Sequence, residues 1–70
     1  MEYIDNTQAL NLLQSHKVIE VGSRKVVNNL YSNNVWDMDV MLLDNGQALG
    51  LEGDGGNVSY WLIETQDFKE

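Results

Sequence analysis

The chain predicts an α+β fold: one N-terminal helix packed on a four- to five-stranded antiparallel β-meander. The alternative is a small SH3-like barrel with an N-terminal helix. Three observations point there. Asn45-Gly46 stands between two apolar runs, Trp36 to Leu43 and Ala48 to Leu51, and Asn-Gly in that setting is a strong hairpin signal because a type I′ turn needs positive φ at both central residues. A second turn falls within Gly53-Asp54-Gly55-Gly56-Asn57, and Val58 to Ile63 follows as a further strand. Ahead of these, Ala9, Leu12, Leu13 and His16 recur at helical spacing.

Taken in order, Met1 to Ile4 is a short lead-in. Asp5 and Gln8 have the spacing of a capping box, and Ile4 can pack over Ala9 as a hydrophobic staple, so the helix is placed from about Asn6 to His16. A helix of about three turns is marginal alone in water, and its apolar stripe must lie on the sheet. Lys17 to Val21 is rich in β-branched residues and ends at Gly22-Ser23, which suits a type II′ turn pairing Ile19 with Val26 and Glu20 with Lys25. The competing element is a helix capped by Ser23, because Val26, Val27, Leu30 and Tyr31 also sit at helical spacing. Strand is preferred, since Arg24 and Lys25 would face the positive end of the macrodipole and Val-Val-Asn-Asn has low helix propensity. Ser32-Asn33-Asn34 is expected to turn and bring Tyr31 opposite Trp36. Thr65 to Glu70 is expected to be a polar, frayed tail.

If Asn45 and Gly46 are the two turn residues, Leu43 lies opposite Ala48, Leu42 opposite Leu49 and Val40 opposite Leu51. Alternation then gathers Trp36, Met38, Val40, Leu42, Leu49, Leu51, Val58, Tyr60 and Leu62 on one face, under the helix. The other face carries Asp37, Asp39, Met41, Leu43, Glu52, Trp61 and Ile63. On it Asp39 lies opposite Glu52, with Asp37 roughly 6.6 Å further along the strand. Gly50 is expected to make room for a bulky neighbour such as Trp61.

The 70 residues leave room for one domain, 1–70, near the size where a single core supplies only about 3–5 kcal/mol. Without cysteine there is no disulfide and no thiolate metal site, which fits a reducing compartment. No run approaches the roughly 20 apolar residues of a bilayer span, and the N-terminus lacks a signal-peptide pattern, so a cytoplasmic location and no membrane partner are expected. The net charge of −7 is uneven. Up to Asn34, Glu2, Asp5 and Glu20 balance Lys17, Arg24 and Lys25, so the part beyond it carries the whole imbalance. Such a surface repels phosphates, which argues against direct nucleic-acid binding, and attracts a basic protein partner.

Little points to chemistry. His16 is the only histidine, with no orienting carboxylate assignable, and none of the serines lies in a nucleophile motif. The glycines from Gly46 to Gly56 lack a phosphate-loop pattern and open no helix. Asp44-Asn45-Gly46 echoes only a fragment of a calcium loop. Asn57-Val58-Ser59 is a chance glycosylation tripeptide without a secretory route. No enzyme activity, cofactor or metal is therefore expected.

What remains is a surface. One short helix covers one face of the sheet, leaving the acidic, Trp61-bearing face for a partner, unless the sheet coils into a barrel or the tail folds back across it. Expected partner-binding residues are Asp37, Asp39, Met41, Leu43, Glu52, Asp54, Trp61 and Ile63. The profile is that of small acidic phage-encoded inhibitors of nucleases and host-defence complexes, some of which present carboxylates in place of phosphates. The other expectation is a structural role through a homodimer on the same face, with charge serving solubility alone.

Overall fold

Helix α1 (Asn6–Ser15) begins where the capping spacing places it: Asp5 accepts from the Gln8 backbone at 2.8 Å and the Gln8 side chain accepts from the Asp5 backbone at 3.0 Å. The structure, a computed structural model, describes residues 1–28 and 34–69, and within its strands all side chains but those of Asn28 and Asp54. The predicted turn at residues 32–34 and the Tyr31–Trp36 pairing therefore fall outside or at the border of the described residues. Around α1 lie β1 (Glu2–Ile4), β2 (Val18–Asn28), β3 (Asn34–Leu43), β4 (Ala48–Asp54) and β5 (Asn57–Ile63). They form a five-stranded antiparallel sheet in the order β1-β5-β4-β3-β2, which with the helix makes an α+β fold.

Three expectations need correcting. The turn after β3 has three residues, not two: Leu43 N–H donates to Gln47 O at 2.8 Å, Gly46 N–H donates to Leu43 O at 3.2 Å, and Gly46 has a φ of 87°. A three-residue hairpin loop takes its glycine at that left-handed position, and here the Asn45 side chain fastens it by accepting from Gln47 N–H at 3.0 Å. Leu42 consequently faces Ala48, Val40 faces Gly50 and Asp39 faces Leu51, one residue away from the two-residue register. Because side chains alternate, that single slip turns all of β4 and β5 over relative to β3. The second turn does follow expectation, with Gly55 and Gly56 at φ of 57° and 93° between Asp54 and Asn57.

Secondly, no turn interrupts β2. Gly22 is not among the positive-φ glycines, so a type II′ turn is absent, and β2 runs straight through it to pair with β3, setting Val26 against Trp36 rather than Ile19. Full pairing along β2 makes many more ladder bonds than a small hairpin could, and it buries Val26 completely. Glu20 pairs in charge with Arg24, and Lys25 with Asp37.

Thirdly, the tail is structured. A 3-10 turn, Thr65–Asp67, leads to Phe68, which bridges Val26, while Lys69 N–H donates to Lys25 O at 2.9 Å. Gln47 donates to Glu64 at 2.7 Å and Thr65 to Gly46 O at 3.1 Å, and the buried Asp67 takes the Met1 ammonium at 3.0 Å. Phe68 is the one large apolar residue in a charged run, and it finds a place against the core.

Both faces of the sheet are thus occupied. On one, Val26, Met38, Val40, Ala48, Trp61 and Ile63 form a core with Trp36, Leu42 and Phe68 packed against it. On the other, Ile4, Ala9 and Leu49 are buried together, with Leu12, Met41, Tyr60 and Leu62 around them, so that α1 seals this side. Gly50 sits where a Cβ would run into the Met38 sulfur and, at 2.7 Å, Ile63 Cδ1. The close approach it allows is therefore to these two side chains, and Trp61 is its cross-strand neighbour.

Candidate functional site

The ladder between β3 and β4 is short. It runs from Leu42↔Ala48 to Asp39↔Leu51 and stops, although β3 remains paired with β2 back to Asn34 and β4 with β5 out to Asp54. Beyond Asp39 and Leu51 the two hairpins part. The space between them is an open groove of about 460 Å³. Trp36, Asp37, Met38 and Asp39 form one wall, Leu51, Glu52 and Gly53 the other, and Ser23 of β2 reaches its rim. Residues of both side-chain parities line the same wall, which is what a gap between strands produces.

Backbone alternation adds to the groove. The Leu43–Gln47 bond fixes odd residues of β3 and β4 as those whose N–H and C=O point at the opposite strand. Asp37 and Gly53 would form the next bonded pair, and no ladder partner joins them among the described residues. The groove therefore offers backbone donors and acceptors as well as carboxylates. Of the carboxylates, Asp37 shares the Lys25 ammonium at 3.1 Å, an exposed pair of small worth. Asp39 and Glu52 enter no ion pair or side-chain hydrogen bond among the described residues. The charges are strung along the groove instead of converging, and no group of three or more His, Asp or Glu able to hold a metal ion occurs among the described residues. Half-buried Trp36 gives the groove an aromatic floor, set edge-to-face on Trp61 with centroids 6.1 Å apart.

Of the eight residues expected to bind a partner, the structure brings Asp37, Asp39 and Glu52 together at this groove. Asp54 lies beside it in β4, with a side chain outside the described set. The apolar four do not join them. Trp61 and Ile63 are core residues on the same face as Leu42, Leu43 is buried, and Met41 is half-buried beside α1. The proposed Trp61 patch is roofed by the chain's own tail, and the direct Asp39–Glu52 opposition is replaced by Asp39–Leu51. Trp61 carries one loose end, an indole N–H buried without an acceptor among the described residues, held between the rings of Trp36 and Tyr3.

His16 also differs from expectation: its Nδ1 lies 3.2 Å from Asp44 Oδ1, and Asn45 approaches Nε2 at 3.4 Å. The pair joins the end of α1 to the β3–β4 turn, and both side chains are substantially exposed. Sequence reasoning missed Trp36 and Leu51 as groove residues, because both belong to the core face of the two-residue register. A signal was available in the glycine itself, since Asn-Gly also ends a three-residue loop.

No protein-family model matches the chain, and neither a search of curated proteins nor one of solved structures found a match. No helix among the described residues is long and apolar enough to cross a membrane.

Proposed function

We propose that the protein is a non-enzymatic, cytoplasmic protein-binding domain whose acidic groove docks on a basic surface of a partner, as an inhibitor of a nuclease or host-defence complex in the manner of phage-encoded inhibitors. The supporting observation is the parting of β3 and β4, which leaves Asp37, Asp39, Glu52 and Trp36 lining one open cleft. Carboxylates spaced along a strand can stand in for the phosphates that such a partner binds, and an aromatic floor supplies apolar contact beside them. The finer fold reading that accompanies it is a small SH3-like barrel with an N-terminal helix. The Val26–Phe68 bridge after a 3-10 turn supports that reading over an open meander.

The test is titration of a basic nuclease with the wild type and with Asp37→Asn/Asp39→Asn at rising salt. Affinity that falls with salt, and falls again in the variant, is expected. Affinity indifferent to both would exclude the electrostatic mechanism.

A further inference from the structure

Most of the exposed apolar side chains lie in the electrically balanced part of the chain. Among the described residues, Leu10, Leu13, Val18, Ile19 and Val21 make up most of the large hydrophobic side chains left to solvent, with Ile19 and Val21 66% and 68% exposed. All five belong to the part of the chain whose charges cancel. Ile19 and Val21 stand on β2, the last strand of the sheet order, and a bare apolar edge strand is a template for another strand.

The free edge has definite limits. At one end Lys69 N–H already occupies Lys25 O, and at the other the pairing slips between Val18 and Glu20, a bulge that throws Ile19 out. What remains regular and open is Glu20 to Arg24, centred on Gly22. The Lys69–Lys25 bond also shows that odd residues of β2 turn their backbone groups outward, so Val21 and Ser23 present N–H and C=O to solvent.

We infer that this edge pairs antiparallel with the same edge of a second copy, about a twofold axis at Gly22. This goes beyond the partner-binding role of the groove and does not depend on it. Under that axis Val21 exchanges backbone bonds with Ser23 of the second copy, and Gly22 meets Gly22, where no Cβ holds the backbones apart. Glu20 comes opposite Arg24 of the second copy, and Arg24 opposite its Glu20. The two intrachain Glu20–Arg24 contacts, one in each copy, are thereby exchanged for two equivalent contacts across the axis, so charge sets the register while the backbone bonds and the covering of Val21 drive association. The axis stands normal to the sheet, so both helices lie on one side, and each acidic groove, whose rim Ser23 reaches, opens between β3 and β4, beyond β3 from the junction.

Sedimentation of the full chain over a concentration series tests this. The wild type is expected to dimerise, and Val21→Lys to weaken the dimer about tenfold or more while keeping its circular dichroism and melting curve. Glu20→Arg and Arg24→Glu are each expected to be monomeric alone and to form a heterodimer when mixed, because only the mixture sets arginine against glutamate at both contacts. A wild type that stays monomeric at every concentration overturns the inference. So does a dimer indifferent to Val21→Lys, or a pair of charge variants that fail to complement.

Discussion

The two halves of this small chain expose opposite surfaces. The first, through β2, is electrically balanced and leaves β-branched side chains on an unpaired edge; the second carries all the net charge and opens a groove between strands that ought to pair. Where the sheet meets its tail it is closed by Phe68, Lys69 and Asp67, and beyond the Asp39–Leu51 pair β3 and β4 are left apart. Most of the apolar exposure and all of the net charge thus fall in different parts of a molecule of 70 residues. The lesson is that association by burial and association by charge can be separated, and salt should discriminate between them.

The comparison can be broken most severely at the closed seam. Asp67→Asn leaves the buried Met1 ammonium without its counterion and is expected to cost about 3 kcal/mol, read as a lower urea midpoint. Gly50→Ala, which forces a Cβ against Met38 and Ile63 where β3 and β4 still pair, should cost about 2 kcal/mol by the same measurement. At the open seam, Asp39→Asn/Glu52→Gln should weaken a basic partner about tenfold at low salt, about 1.4 kcal/mol, with folding stability held or slightly raised because like charges are removed. In the balanced half, Asp5→Ala removes the helix cap for about 1 kcal/mol and should leave salt-dependent partner binding untouched.

What could be read from sequence was local. The Asp5–Gln8 box, a turn within residues 53–57 and the strand character of residues 24–28 all follow from spacing and propensity over a few residues, and all are present. The facing of β5 on β4 follows in the same way from a turn within residues 53–57, while the exact register, with Gly55-Gly56 at its centre, is one of two choices on sequence alone. The relation of β3 to β4 could not be settled so, because Asn45-Gly46 serves a two-residue and a three-residue loop alike, and both registers place apolar residues opposite one another. The choice is made at a distance. Gln47 and Thr65 bind the turn to the tail, Asp44 N–H donates to Lys17 O, and Phe68 reaches Val26. Asp37 and Asp39 still fall on one face of β3, because their relation depends on that strand alone. Trp61 and Ile63 lie on the opposite face from the one expected, because they were carried over with β5.

The groove and the buried Trp61 both depend on the one-residue offset at that hairpin, and cross-strand nuclear Overhauser effects measure it directly. Val40–Gly50 and Leu42–Ala48 are facing pairs of the closely spaced, non-hydrogen-bonded kind, so strong Hα–Hα contacts between them are predicted. Contacts of Leu42 with Leu49 and of Val40 with Leu51 would contradict it, returning Trp61 to the outer face and removing the groove.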